Sequence, residues 1–230
     1  MQDACAEKRP RGRPQVRCDD DTRRVIIEAA NDQFKKAGYA SASISAIAQT
    51  AGVSTKTLYR LFPAKADLFS ELISSRIDGY FLGLDHDALA GLGLEEGLER
   101  LILAYGRLTL SADTITITRL VLGESDRFPE LARVFYEKAM MRTSHVMEAW
   151  LALQVERNLI RLDDPAAATG MLRGMMTMEP QRAAMIGMID LVRDEQIIQR
   201  AHDCATLFLK GCLVKDEAGK ECQTSAPGIA

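Results

Sequence analysis

The stretch "SISAIAQTAGVSTKTLYRLF", residues 43–62, holds two short helical patterns divided by a glycine. Ser43 can cap a helix running to about Thr50, with Ile44, Ile47 and Ala48 facing inward. Gly52 breaks that helix, and Ser54 caps a second one through about Leu61. Ala48 falls where two helices cross closely, so a larger side chain there would push them apart. Gly52, four residues on, suits a left-handed turn, a conformation that costs any residue with a Cβ about 1 kcal/mol or more. Ile47, Ala51, Val53, Leu58 and Leu61 supply the apolar positions that hold both helices to a third. The pattern is a helix-turn-helix, whose second helix enters the DNA major groove by its N-terminal end.

The residue types on that second helix suit the role. Ser54, Thr55, Lys56 and Thr57 crowd its first turn with short donors and one cation, and free backbone N–H groups there favour phosphate. Tyr59 and Arg60 can reach the DNA backbone from the flank, and Lys65 from the start of the next helix. Ser43, at the head of the first short helix, completes this set. Contacts of this kind mostly fix position, while a few contacts to base edges specify sequence.

Working outward, "DDDTRRVIIEAANDQFKKAGY" (19–39) begins with acids and a capping Thr22, and Ile26, Ala30, Phe34 and Ala37 recur at helical spacing. A helix over about 22–37 with its stop at Gly38 follows. Ahead of it, "KRPRGRPQVR" (8–17) carries five cations in ten residues. Its Pro10-Arg11-Gly12-Arg13-Pro14 core resembles an AT-hook: the prolines keep the chain extended and the glycine lets it lie deep. Arg11 and Arg13 are candidates to enter a narrow, A/T-rich minor groove, the other reading being a basic arm that only attracts phosphate. Residues 1–70 hold 12 Lys/Arg against 8 Asp/Glu, whereas the whole chain carries a net charge of −3. The excess of positive charge at the front points to a polyanion partner for that part alone.

Beyond a helix at about 64–79, "YFLGLDHDALAGLG" (80–93) reads as a joint between domains. Helices follow near 94–110, 112–124, 128–157, 163–178 and 194–214, and no alternating strand pattern stands out, so the fold class is all-α. Residues 215–230 read as a disordered tail. The five cysteines show no zinc spacing. Cys204 and Cys212 lie eight residues apart on one helix, about 12 Å at 1.5 Å per residue and too far for an intrachain disulfide. Scattered histidines at 86, 145 and 202 give no metal site. No catalytic trio, H-E-x-x-H, phosphate loop or dinucleotide fingerprint appears, so neither an enzyme nor a cofactor is expected. No apolar run of membrane-spanning length occurs. A cytoplasmic protein is expected.

Residues 23–73 are similar throughout to the DNA-binding domain of the tetracycline-repressor (TetR/AcrR) family. Gly38-Tyr39, Ile47-Ala48, Ala51-Gly52-Val53-Ser54, Thr57-Leu58-Tyr59 and Phe62-x-x-Lys65 stand in family register. "RLVLGESDRFPELARVFYEKAMMRTSHVMEAWLALQ" (119–154) resembles the AefR-like branch. The resemblance implies a homodimeric repressor that binds a palindromic operator in double-stranded DNA and answers to a small-molecule effector. Its parts would be a basic arm (1–20), a helix-turn-helix domain (21–79), a larger ligand-binding and dimerisation domain (80–214) and the tail (215–230). Two departures from the family pattern stand out. Thr55-Lys56 replaces the common Lys-Gly, and Ala64 replaces the serine that usually caps the next helix, a loss of about 1 kcal/mol. Other readings are a redox-responsive regulator of the same fold acting through its cysteines, and an architectural minor-groove binder.

Methionine is concentrated in "GMLRGMMTMEPQRAAMIGM" (170–188) and on the long helix before it. Flexible, polarizable thioethers recur at adaptable binding surfaces. Tyr105, Met140, Met147, Trp150, Met171 and Met175 are therefore candidates to line a pocket for a lipophilic or aromatic effector, against the plainer reading of core packing. Helices 163–178 and 194–214 are expected to pair with their twins in a four-helix interface, the plainer alternative being a helix packed within its own chain. Ile197, Ala201, Ala205, Phe208 and Cys212 would form the apolar stripe of that contact.

Overall fold

The computed structural model describes residues 18–81, 89 and 91–213. The basic arm with Arg11 and Arg13, most of the joint and the tail lie outside the described residues. The elements in chain order are α1 (Asp19–Ser41), α2 (Ile44–Ala51), α3 (Thr55–Leu61), α4 (Lys65–Phe81), α5 (Leu94–Thr109) and α6 (Ala112–Glu124). There follow α7 (Pro129–Val134), a π-helical segment (Phe135–Met141), α8 (Arg142–Glu156), α9 (Pro165–Met185) and α10 (Asp194–Cys212). Among the described residues the one extended pairing is a single bridge between Ile160 and Leu213. The protein is all-α.

The caps inferred for the first two short helices are in place. Ser43 accepts from the Ala46 N–H, and Ser54 accepts from the Thr57 N–H at 3.0 Å. Between them Gly52 is left-handed, at φ 67° and ψ 33°. Ile47, Ala48, Ala51, Leu58 and Leu61 are buried against Ile26, Ala30 and Phe34 of α1, whereas Ala37 is exposed. Helix α1 starts earlier than expected because Cys18 caps it: the Cys18 thiol accepts from the Asp21 N–H at 3.4 Å. Thr22, inside the first turn, instead donates its hydroxyl to the Cys18 carbonyl at 2.8 Å. Gly38, at φ 75°, kinks the helix, and one more turn carries it to Ser41. At α4 the serine that Ala64 replaces has a partial substitute, since the Asp67 carboxylate accepts from the Ala64 N–H at 2.8 Å.

Two departures lie further along the chain. The single helix expected over 128–157 is three joined pieces, with a π-helical turn in the middle that widens the backbone spiral. Helix α9 does not stop before Pro180 but runs on to Met185. Proline removes one helical N–H, leaving the carbonyl four residues earlier without its donor. That carbonyl belongs to Met176, and it accepts from Arg200 Nε of α10 at 2.8 Å. Arg200 also donates to the Met175 carbonyl at 2.8 Å. A guanidinium from the neighbouring helix thus carries α9 through its proline.

The interior has two apolar clusters. One joins α1–α4 to Leu108, Ile117, Val121, Leu131 and Val134, so the core of the helix-turn-helix part continues into α6 and α7. The other lies among α5, α8, α9 and α10. The stripe expected to face a twin is already buried within the chain. Ile197, Ala201, Ala205 and Cys212 pack in the second cluster with Leu98, Leu101 and Ile102 of α5, and Phe208 packs half-buried against it. The opposite faces of α9 and α10 leave apolar side chains exposed, Met171 at 70%, Met178 at 50% and Leu207 at 62%.

Candidate functional site: a DNA-reading helix and the cavity behind it

Ser54, Thr55, Lys56, Tyr59 and Arg60 are exposed along α3, Thr57 is half-buried, and Ser43 is exposed at the head of α2. The buried Leu58 and Leu61 anchor α3 from behind, so its polar side faces outward. The hydroxyls of Ser54 and Thr57 lie 2.8 Å apart. Arg60 makes a two-pronged pair with Asp19 at the start of α1, at 2.9 and 2.7 Å. Lys65 is turned inward. Its ammonium donates to the carbonyls of Tyr39, Ala40 and Ala42 at 2.6, 3.3 and 3.2 Å, and lies 4.7 Å from the Tyr39 ring centre. Desolvation lowers its pKa. In this conformation Lys65 fastens the corner between α1 and α2 and does not extend toward solvent.

Behind this surface is a cavity of about 620 Å³. Ile73 and Ile77 of α4, Leu108 of α5, and Ile117 and Val121 of α6 give it apolar walls. The π-helical segment adds Phe135 and Met140, and α9 adds Arg173 and Gln181. Of the six residues proposed from the sequence, Tyr105 and Met140 line this space. The other four do not. Met147 and Trp150 are buried in the second cluster, Met175 packs at its edge, and Met171 faces outward. Helix α9 turns Leu172 and Met176 to the core, which sends Met171 to the other side. Arg76, Arg173 and the threonines of α6 carry no local sequence pattern that marks them as cavity residues. Only the packing brings them together.

Helix α6 connects the cavity to the DNA-reading part. At its head, Asp113 pairs with Lys35 of α1 and Arg76 of α4. Burial raises the Asp113 pKa, but the hydrogen bonds from Lys35 and Arg76 outweigh it and leave the carboxyl below its usual value. At its tail, Glu124 accepts from the N–H groups of Tyr39 and Ala40, both at 2.8 Å. Tyr39 also stacks among Phe34, Phe69 and Phe128, and burial pushes its hydroxyl up to about 12.

Two of the five cysteines, Cys204 and Cys212, are buried, Cys18 is exposed, and Cys5 and Cys222 lie outside the described residues. Burial raises the pKa of Cys204 and pushes Cys212 up to about 11, so neither favours the reactive thiolate. Among the described residues no cluster suits a metal ion, and no helix is long and apolar enough to cross a membrane.

A helix-turn-helix with an outward polar recognition helix, joined to a helical domain with its own cavity, defines a DNA-binding transcriptional regulator and not an enzyme. Residues 26–72 match the model for bacterial regulatory proteins of the tetR family, and residues 96–211 match the AefR-like transcriptional repressor C-terminal domain. The chain belongs to the TetR family, with an AefR-like C-terminal domain. Among solved structures it is similar to a TetR-family regulator from Mesorhizobium loti MAFF303099, at 27% identity over 85% of this chain and 98% of that one, with a TM-score of 0.74. The flavonoid-responsive regulator FrrA shares 30% identity over 84% of this chain and 98% of that one, with a TM-score of 0.68. A TetR-family regulator from Pseudomonas syringae pv. tomato shares the fold, at 21% identity over 86% of this chain and 100% of that one, with a TM-score of 0.65. No curated protein sequence gives a significant match.

Proposed function

We propose that this regulator is a ligand-responsive repressor that a small lipophilic or aromatic effector releases from its operator. One observation carries the reading: the helix that walls the cavity, α6, is fastened to α1 at both ends, through Asp113 and Glu124. An effector that shifts α6 moves the unit that positions α3. The response of FrrA to flavonoids supports an aromatic effector for this chain too. To move operator occupancy from nearly full to nearly empty, the effector must prefer the DNA-incompetent state by about 10⁴-fold.

The working form is a homodimer, for which the exposed apolar faces of α9 and α10 are available. Two copies would set their α3 helices in successive major grooves, about 34 Å apart, on a palindromic site. Ser54, Thr55, Lys56, Thr57 and Tyr59 make the DNA contacts, and Arg60 joins them once it leaves Asp19. Ser43 contacts the backbone from α2, and Arg11 and Arg13 add a minor-groove grip. Work on the chromosome places the protein in the cytoplasm.

The deciding experiment selects genomic fragments on the purified protein at fixed salt, with its mass in solution measured alongside. A palindromic motif bound by a dimer is the expected result. Recovery without sequence preference, or a monomer on one half-site, overturns the reading.

A further inference from the structure

Among the described residues, the cavity wall carries positive charge and no negative charge: Arg76, Arg133 and Arg173 line it, and no Asp or Glu does. Arg76 is balanced, through Asp113 and a 2.9 Å hydrogen bond to Asn31 Oδ1. Arg173 is not. Its Nη1 donates to the Ser144 hydroxyl, and its guanidinium lies 5.1 Å from the centre of the Tyr105 ring. Neither partner is an anion, and no carboxylate pairs with it among the described residues. A part-buried cation in apolar surroundings without a counter-charge is costly.

The hydrogen-bond inventory points the same way. Thr109, Thr118 and Thr143 donate their hydroxyls to backbone carbonyls of their own helices. Gln181 donates to the Thr109 carbonyl at 2.9 Å. Four buried side-chain polar atoms lack a partner among the described residues, and two of them are the sealed Nε atoms of Arg76 and Arg173, whose residues line this wall. Buried N–H groups are normally paired. The guanidinium of Arg173, which has no carboxylate partner among the described residues, matches the two oxygens of a carboxylate better than any neutral acceptor does.

We infer that the effector is an amphipathic organic anion, a carboxylate or acidic phenol on an apolar body, with its charged oxygen on Arg173. The apolar body lies along Ile73, Ile77, Ile117 and Val121, and the Tyr105 ring backs the guanidinium. The inference rests on the ligand-responsive reading and gives it a chemical class.

Calorimetry on the full-length protein with matched pairs tests it: biphenyl-4-carboxylate and its methyl ester, dodecanoate and its methyl ester, 7-hydroxyflavone and 7-methoxyflavone. The expected result is that the acid of a binding pair is favoured by about 10- to 100-fold, the range for a hydrogen bond to a charged group. The first two pairs report a carboxylate and the third an acidic phenol. Arg173→Met, checked by its melting curve, is expected to abolish the preference. Arg173→Lys is expected to retain part of it. Binding without acid preference in the unaltered protein overturns this inference and leaves the ligand-responsive reading standing, a comparison that needs no variant to fold. Preference that survives Arg173→Met in a folded protein overturns the role of Arg173. No binding by any of the six at millimolar concentration overturns both.

Discussion

Glu124, the last residue of α6, accepts the backbone N–H groups of Tyr39 and Ala40 in the final turn of α1, each at 2.8 Å. The kink at Gly38 turns this segment toward α6. A Cβ on Gly38 would stand 2.7 Å from a Glu124 oxygen and would also be strained at φ 75°. Glu124→Ala is expected to destabilise the protein by about 1–3 kcal/mol, because two N–H groups lose their acceptor. A urea melt that moves by less than about 0.5 kcal/mol would make the contact incidental.

Arg200 and Pro180 act as a pair, so their substitutions are expected not to add. Arg200→Met alone leaves the Met176 carbonyl without a donor and is expected to cost about 1–3 kcal/mol. In a Pro180→Ala background the backbone N–H restored at that position can serve the carbonyl, and the same substitution is expected to cost less. A double-mutant cycle in denaturant measures the difference. Strict additivity counts against the rescue of α9 by Arg200.

Lys56 and Lys65 are expected to separate cleanly, although both are lysines near the recognition helix. Lys56→Ala removes an exposed cation and is expected to leave stability within about 0.5 kcal/mol. It should weaken DNA binding and lower the salt slope by about one if Lys56 meets a phosphate. Lys65→Met strips a hydrogen-bonded ammonium from three carbonyls, and its main effect is expected in the melting temperature. Fluorescence anisotropy on the selected DNA across a salt series, beside a thermal melt, distinguishes them. The reverse pattern would mean that Lys65 turns outward on DNA.

The Asp113 carboxyl is held below its usual value, which ties the clamp on α6 to pH. A depressed acid contributes stability that is complete above the unfolded value, about 3.9. That contribution is lost as pH falls through the lower folded value. Asp113→Asn is therefore expected to be less stable than the unaltered protein at pH 7, with the gap narrowing below about pH 4. Paired urea melts at pH 7 and pH 3.5 check this, and a gap that does not change with pH sets the ion pair aside as its source.

The parts of the molecule governed by local rules are those that could be read from the chain. Ser43, Gly52 and Ser54 set caps and a turn through neighbours within a few residues, and the helix-turn-helix follows from them. The helix expected near 163–178 runs on past Pro180 because the support for its backbone comes from Arg200, on another helix. The methionine stripe suggested a pocket, yet which side of α9 faces inward is decided by how α9 packs on its neighbours, and that placed Met171 outside. Lys65 has the charge of a phosphate contact, and only the carbonyls gathered at the α1–α2 corner turn it inward.

The shared core of α1–α4 with Ile117, Val121, Leu131 and Val134 sets where such a regulator can be cut and rejoined. A chimera that carries only the chain up to the end of α4 onto a foreign effector domain would leave that apolar face bare. The exchangeable cassette includes α6 and α7, although α5 separates them from α4 in the chain, so a transplant has to be fitted in space and not only in sequence.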